Sequence, residues 1–566
     1  MVGRRLDTLV RELSLAWCRS KGEPSCAVRE DLLAEQAKAA EVIERSDGVI
    51  LLKAPTGFGK TEIWTAPFFA QWLRGEWFAP RMYVVEPMHA LLRQMKRRME
   101  VYAQAVQGLG LPRLNVAEDH GEVAKPLFLY GGHIVLTTVD SLAYGYLARR
   151  VQRWREEGVE RGRYSMPAGL LASAYIVLDE AHLIQDEAYL GPRVLGKIVC
   201  DLASAGAKVV ISTATVPETF LKHIPCLGGR LTLGSGTVRR NVKVERRKGV
   251  LKAEEIECGK PTIVIVNTIE RARRIYKQVR CGKKAVVHSL MRREDKERQL
   301  SKVLADGKVA EDAVLIGTQA LEVGLDFSNL RALYTETAPV DALIQRIGRV
   351  GRDGDKAEAY IYEAEGDAPY PQTLMRATRE ALEKELLGGA ALTSWEDAQR
   401  AVDKVYNEKA VEELMTRGLA WYGQALGYLQ ELSLFSYPPR GEVRIRPSNY
   451  ITLVIADVKQ DGDKGRYITE DDVERGAMKM SYTSRDDPRI NALLQKVSTA
   501  YTVRGVATAK DETRYYLSEL RRSWDGVEVV VVDRRDVEEL YDEAGLDVAQ
   551  LSGGGQKRKG RGRRRR

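Results

Sequence analysis

No run of about 18 apolar residues occurs anywhere in the 566 positions, so the sequence offers no membrane-spanning helix. Its opening, MVGRRLDTLVRELSLAWCRS, is charged and helix-periodic and lacks the uninterrupted apolar core of a secretory signal. A cytoplasmic protein with no membrane partner is the expectation. The six cysteines, Cys18, Cys26, Cys200, Cys226, Cys258 and Cys281, include no C-x-x-C pair and no zinc-ligand spacing. A chain long enough for three or more domains buries its own cores without disulfides, so reduced, mostly structural thiols are expected. An acidic excess is missing too. The formal net charge is +9, but residues 557–566, KRKGRGRRRR, hold eight Lys/Arg and no acid, which leaves +1 for the rest. A Gly/Arg-rich end of this kind is disordered in isolation; it either adheres to phosphate backbones through counterion release or solubilises the chain.

Against these absences stands Ala54-Pro55-Thr56-Gly57-Phe58-Gly59-Lys60-Thr61. It follows Val49-Ile-Leu-Leu, which reads as a buried parallel strand, and leads through Glu62 into a helix. Strand, glycine-bearing turn and helix N-terminus with Lys-Thr at its mouth make a triphosphate cradle. Backbone N–H groups of the turn point at the β-phosphate, Lys60 reaches the β/γ oxygens, and the Thr61 hydroxyl joins a Mg²⁺ shell. ATP and Mg²⁺ are the expected cofactors.

Further apolar runs alternate with helical stretches, which implies a doubly wound parallel sheet with ligands beyond the carboxyl ends of its strands. Asp179-Glu180-Ala-His182 follows Tyr175-Ile-Val-Leu178 directly. At that strand end Asp179 can hold Mg²⁺ through its water shell, and Glu180 can orient the attacking water and accept its proton. Thr213-Ala-Thr215 follows Lys208-Val-Val-Ile, where the two hydroxyls can hydrogen-bond His182 and link hydrolysis to lobe movement. After a glycine-rich passage the alternation restarts as a second lobe without a cradle. That lobe carries Gln345-Arg-Ile-Gly-Arg-Val-Gly-Arg352. Arginines 346, 349 and 352 recur every three residues on an expected helix and so share one face. Presented toward a γ-phosphate, Arg349 and Arg352, with Gln345 beside them, can stabilise the charge of phosphoryl transfer. Gly324 and Asp326 in the preceding segment can approach ribose and phosphates.

The order A-x-T-G-x-G-K-T, DEAH, TAT, VGLD, QRIGRVGR resembles the superfamily-two helicases across roughly residues 31–365. Thr138-Val-Asp-Ser141, His288-Ser289 and Thr337-Ala-Pro-Val-Asp-Ala-Leu-Ile-Gln-Arg346 look like the CRISPR-associated helicase of type I interference systems. The resemblance implies an α/β fold of two tandem RecA-like lobes with a C-terminal α+β accessory domain and a disordered basic tail. It implies ATP-driven 3′-to-5′ movement on single-stranded DNA, recruited to an R-loop by a guide-RNA interference complex. A glutamine at the distance of Gln36 from the cradle reads adenine in such helicases, and a solvent-facing side chain is the alternative. Pro87, Thr137 and Thr138 fall on the nucleic-acid side of the first lobe, and Thr268, His288, Ser289 and Thr318 on that of the second. A generic DNA-repair or RNA helicase with the same engine is the first alternative, and a nucleotide-switched binding subunit without turnover is the second. Gly351 departs from the family, which often has asparagine there. None of the six histidines is followed by Asp and about 50 residues precede the cradle, so a helicase-only form with a separate HD nuclease subunit is expected.

The expected divisions are 1–30 a helical extension, 31–226 the first lobe, 227–240 a linker, 241–365 the second lobe, 366–550 the accessory domain and 551–566 the tail. Arg93, Lys96, Arg97 and Arg98 add positive charge near Pro87, on the nucleic-acid side or on a solvated helix face. The Arg149–Arg163 stretch, with six arginines and Trp154, reads as a surface helix with one buried face or as a base-stacking wedge.

Overall fold

The computed structural model describes residues 6–22, 26, 28, 30–120, 131–149, 166–234, 241–305, 308–322, 327, 329–352, 356–384, 394–435, 438, 439, 441, 443–482, 484, 486–509, 512–520, 524 and 527–552. The first sheet has seven parallel strands: β1 (Val49–Lys53), β2 (Met82–Glu86), β3 (Val116–Asp119), β4 (Ile134–Thr138), β5 (Tyr175–Leu178), β6 (Lys208–Thr213) and β7 (Leu227–Thr232). They lie in the order β3-β4-β2-β5-β6-β1-β7. Every residue of β2, β4, β5 and β6 is buried, as expected of strands covered on both faces by crossover helices. The helix Lys60–Arg74 buries Trp64, Phe68 and Phe69 completely and ends at Gly75, whose N–H closes onto Gln71 O.

The linker expected at 227–240 is in part a strand. Leu227–Thr232 pairs in parallel with β1, and Leu233 N–H continues the ladder to Lys53 O at 2.9 Å. Gly228 and Gly229 mask this in the sequence, but the residues alternate between half-buried and exposed, the period of an edge strand. Residues 235–240 and the 150–165 part of the arginine and tryptophan stretch lie outside the described residues.

A second sheet of six strands has the order β10-β13-β9-β14-β15-β8. It comprises β8 (Val242–Val250), β9 (Thr262–Ile265), β10 (Lys283–Val287), β13 (Ala313–Gly317), β14 (Ala332–Glu336) and β15 (Ala357–Glu363), with a small ladder of β11 (Leu304–Ala305) and β12 (Lys308–Val309) beside them in sequence. The third, mainly antiparallel sheet runs β17-β18-β21-β20-β22-β16-β19. Its strands are β16 (Asn449–Ala456), β17 (Lys459–Asp461), β18 (Gly465–Thr469), β19 (Ala477–Tyr482), β20 (Ala500–Ala509), β21 (Glu512–Glu519) and β22 (Val529–Asp533). A hairpin of β23 (Tyr541–Asp542) and β24 (Gly545–Leu546) follows. The architecture is two RecA-like parallel-sheet lobes and a C-terminal accessory sheet.

These elements gather into two compact units. The first runs to Leu251 and resumes from Glu322 to Pro447; the second holds Lys252–Leu321 and the chain from Ser448 onward. In the first unit, helices Trp395–Val405 and Glu408–Arg417 are tied to the first lobe. Trp395 Nε1 donates to Ala214 O at 2.7 Å, Gln399 Nε2 to Val216 O at 2.7 Å, and Thr219 Oγ1 to Tyr406 O at 2.9 Å. In the second unit, Leu290 belongs to a core that includes Ile451, Leu453, Val530 and Val532 of the accessory sheet.

The cysteines do not stay reduced. Disulfides join Cys18 to Cys26, Cys200 to Cys226 and Cys258 to Cys281, with Cα atoms 5.8, 5.5 and 5.5 Å apart. Sequence spacing carries no information on such approaches, since bridging depends on the Cα distance set by tertiary packing. Among the described residues no helix is long and apolar enough to cross a membrane.

Candidate active site

The tips of neighbouring strands in the first sheet bring the predicted residues to one end. Residues 54–59 form the loop from β1 to the helix Lys60–Arg74, whose first two residues are Lys60 and Thr61. Gly57 and Gly59 have φ of +85° and +89°, a region that residues with a Cβ rarely enter. Lys60 is buried and its Nζ lies 3.1 Å from Ala54 O and 3.5 Å from Pro55 O, so the ammonium closes the loop on itself. Gln36, predicted from its distance upstream, packs on this loop: its Nε2 donates to Phe58 O at 2.6 Å. Thr61 and Glu62 are buried. Glu62 faces Arg98, 2.5 Å away, and accepts from the Tyr102 hydroxyl. Burial works to raise its carboxyl, but Arg98 and the two hydrogen bonds hold it below the usual carboxylate range. Arg98, expected on a charged surface, is therefore an internal anchor. Lys96 pairs with Glu118 at 2.5 Å, and Arg97 donates to Ser20 O at 3.0 Å.

Asp179 and Glu180 stand past the end of β5, where Asp179 N–H donates to Val85 O at 3.0 Å. Asp179 is buried, and its Oδ1 has no protein hydrogen-bond partner. Burial first, and then the Glu180 charge, raise its carboxyl above the usual range, while Lys60 acts the other way. Glu180 occupies the left-handed region at φ +45°, a strained conformation for a residue with a side chain. His182 Nδ1 lies 2.9 Å from Thr213 Oγ1 and 3.4 Å from Glu180 Oε2. Thr213 Oγ1 donates to Thr215 O at 2.8 Å, so the hydroxyl is left to accept from an Nδ1–H tautomer of the imidazole. Burial and the Lys60 charge lower His182 to about 4, which keeps it neutral near pH 7. Of the two hydroxyls expected to meet His182, that of Thr213 does so, and Thr215 takes part through its backbone carbonyl.

The arginine segment differs from its expected form. The helix Val340–Ile347 ends at Gly348, so only residues 345–347 of the segment are helical, and Arg349 and Arg352 lie in the turn beyond. Arg346 is fully buried: Nε pairs with Glu322 at 2.7 Å, Nη1 donates to Thr335 Oγ1 and Glu336 O, and Nη2 donates to Tyr370 OH. It fastens the helix to its own lobe and is not presented to a ligand. Arg349 Nη2 donates to Glu322 O, and Arg352 Nε to Gly348 O at 3.0 Å. Gly351 has φ +66°, in the left-handed region that both glycine and asparagine reach, which accounts for the departure noted in the sequence. Gly324 and Asp326 lie outside the described residues.

The residues predicted to face nucleic acid are mostly engaged within the chain. Pro87 is buried. Thr137 Oγ1 donates to Asp119 O at 2.6 Å, and Thr138 Oγ1 caps the helix Val139–Tyr146 by accepting from Ser141 N. Thr268 Oγ1 caps the helix Ile269–Gln278 in the same way. Thr318 is buried, and Ser289 is exposed. His288 departs from expectation. It is fully buried, with Nε2 2.7 Å from Ala544 O, because the β23–β24 hairpin covers it. Glu86, at the tip of β2, was not singled out in the sequence, although an acid closing the apolar run Met82–Val85 was a signal that could have found it.

The orphaned Asp179 Oδ1 and the Thr61 hydroxyl at the helix mouth fit a Mg²⁺ held by one carboxylate, a hydroxyl, phosphates and water. Among the described residues no group of three or more His, Cys, Asp or Glu side chains is placed to hold a metal by itself.

Residues 34–224 match the DEAD/DEAH box helicase family, and residues 258–355 match the C-terminal part of the CRISPR-associated nuclease/helicase Cas3. A Methanocaldococcus jannaschii protein named as a CRISPR-associated nuclease/helicase Cas3 is 34% identical over 106 residues, 18% of this chain and 14% of that protein. The Rattus norvegicus protein named as ATP-dependent RNA helicase DDX52 is 22% identical over 350 residues, 59% of this chain and 55% of that protein. The chain thus spans about a seventh and about half of the length of these two relatives. Among solved structures, T. fusca Cas3 with ATP superposes with a TM-score of 0.65 at 16% identity, covering 93% of this chain and 70% of that one. The helicase MrfA bound to DNA gives 0.51 at 16% identity, covering 92% and 68%. The fold is that of the ATP-hydrolysing superfamily-two helicases, and the sequence is related to both the Cas3 and the DEAD/DEAH-box branches.

Proposed function

We propose that this chain is the ATP-driven engine of a nucleic-acid helicase or translocase. One observation carries the reading: the Lys60 loop and the Asp179-Glu180 pair meet at one end of one sheet, with a buried Asp179 oxygen that no protein group satisfies. In the proposed reaction Lys60 turns from the loop carbonyls to the β/γ oxygens of ATP. Glu180 accepts a proton from the water that attacks the γ-phosphorus, and the bond to the bridging oxygen breaks to leave ADP and phosphate. Mg²⁺, when bound by Thr61 and Asp179, neutralises phosphate charge. Gln345, Arg349 and Arg352 are the proposed stabilisers of the transferring phosphoryl group, and Gln36 the reader of adenine. Pro87, Thr137, Thr138, Thr268, Ser289 and Thr318 are proposed to face the strand chiefly through backbone groups, since the hydroxyls of Thr138 and Thr268 cap helices and that of Thr137 donates to Asp119 O.

Both helicase branches support this engine: by sequence, the relative named as RNA helicase DDX52 matches 59% of the chain and the one named as Cas3 matches 18%. A second reading rests on the match of residues 258–355. In it the chain moves 3′-to-5′ on single-stranded DNA at an R-loop made by a guide-RNA complex, for a separate HD nuclease subunit. A nucleotide switch without turnover is the remaining alternative and predicts stoichiometric binding only.

Lys60→Ala is expected to abolish ATP hydrolysis while leaving the circular dichroism melt unchanged. Retained nucleic-acid-stimulated turnover in that variant would refute the engine. Stimulation of the wild type by single-stranded RNA but not DNA would remove the second reading and leave the first.

A further inference from the structure

Glu86 closes β2 with a carboxylate that the reaction above does not use. It is 1% exposed, and neither of its oxygens has a protein hydrogen-bond partner. A buried ionisable group without a partner weakens a fold, and the preceding Met-Tyr-Val-Val would continue as well into leucine. Its position in the sheet is specific. β2 lies between β4 and β5, with Glu86 in register with Thr138 on one side and Val85 with Leu178 on the other. The tips therefore stand in the order Thr138, Glu86, Asp179. One neighbour begins the segment assigned to nucleic acid, and the other begins the hydrolytic pair.

The next residue, Pro87, is mechanically tied to the nucleic-acid side. Arg446 Nη2 donates to Pro87 O at 3.4 Å, and its Nε pairs with Asp140 Oδ1 at 2.9 Å, two residues past Thr138. A strand pressing on 87 and 138–141 thus moves a tied pair of loops whose shared neighbour is Glu86. On the other side, burial and then the charges of Asp179 and Glu180 push the Glu86 carboxyl well above its ordinary range, so the three acids sense one another electrostatically.

We propose that Glu86 is a positioning residue through which the nucleic-acid side of the first lobe acts on Asp179 and Glu180. Its acceptor oxygens order the water next to Asp179, and their position follows the Pro87 loop. The proposal rests on the helicase reading and adds to it the residue that couples the two ligands.

The test is a binding cycle on the full chain. Affinities for oligo-dT and oligo-U strands are measured with and without AMP-PNP and Mg²⁺, in wild type, Glu86→Gln and Glu86→Leu, together with thermal melts, and the coupling is read on the strand that stimulates wild-type ATP hydrolysis. Wild type is expected to show a coupling factor of about 5 to 150, reciprocal between the two ligands. In Glu86→Gln the factor should fall to within about twofold of unity while each ligand alone binds within about threefold of wild type. Glu86→Leu should melt above wild type. A coupling factor unchanged in Glu86→Gln overturns the proposal, as does a leucine variant that melts below wild type or a collapse of either separate affinity. A wild type that hydrolyses ATP but shows no coupling also overturns it while sparing the ATPase. Loss of hydrolysis in wild type sinks the helicase reading itself.

Discussion

A histidine with no exposed surface is held neutral, and His288 shows what that does to stability. Burial lowers its pKa to about 3, and the charges of Arg273 and Lys296 act in the same direction, while the Ala544 carbonyl and Asp542 oppose them. In the unfolded chain an imidazole takes its proton near pH 6.5. Between the two values the unfolded state binds more protons, so stability rises with pH. It is fully present above about 6.5 and lost as the pH falls toward 3, a change on the order of several kcal/mol. The urea midpoint of the wild type should accordingly drop between pH 6.5 and 4, and His288→Gln should flatten that drop. An identical pH slope in both proteins would show that His288 titrates freely. The family resemblance places this histidine on the nucleic-acid side of the second lobe. Its burial comes from a hairpin more than 250 residues away, which no local pattern announces. Lys60, Asp179 and Glu180 were legible for the opposite reason: their chemistry is encoded in a few adjacent residues at strand ends.

The hairpin itself, Tyr541–Leu546, is held by contacts from several elements of its own unit. Arg273 pairs with Asp542 at 2.8 Å and with Asp547 at 3.2 Å, Tyr541 OH donates to Asp295 at 2.7 Å, and Leu546 N–H donates to Leu290 O at 3.0 Å. Gly545 is the tightest point. Its φ is +85°, and a Cβ there would lie 2.6 Å from Met291 Cγ and 2.7 Å from both His288 Cε1 and Leu290 O. Gly545→Val should destabilise the second unit by roughly 2 to 5 kcal/mol, combining left-handed strain with overpacking. The measurement is hydrogen exchange at residues 288–292, which should speed up in the variant; unchanged protection would count against the clasp. Other elements depart from their sequence pattern for physical reasons. The arginine helix stops at Gly348, because a three-residue repeat continues in a turn as readily as in a helix. β7 reads as a linker in the sequence because its glycines hide an edge strand.

At the scale of the whole molecule, three disulfides staple segments that the sequence left as separate thiols. The pairs span 8, 26 and 23 residues. Chain-entropy arguments give about 3 kcal/mol for a loop of the longer kind. Reduction with dithiothreitol should therefore lower the melting temperature by several degrees, and a melt unmoved by reductant would show the thiols unpaired. The sequence by itself determined the alternation of buried strands and helices, the phosphate-binding turn and the acids that follow β5. Each of these is set by neighbours within a few residues, through periodicity, backbone freedom or strand-end placement. Tertiary structure alone decided which cysteines meet, that His288 is covered, that Arg346 is an internal anchor, and that Glu86 stands unpartnered between Thr138 and Asp179. Those facts depend on strand order and long-range packing, where segments far apart in the chain come to share one surface.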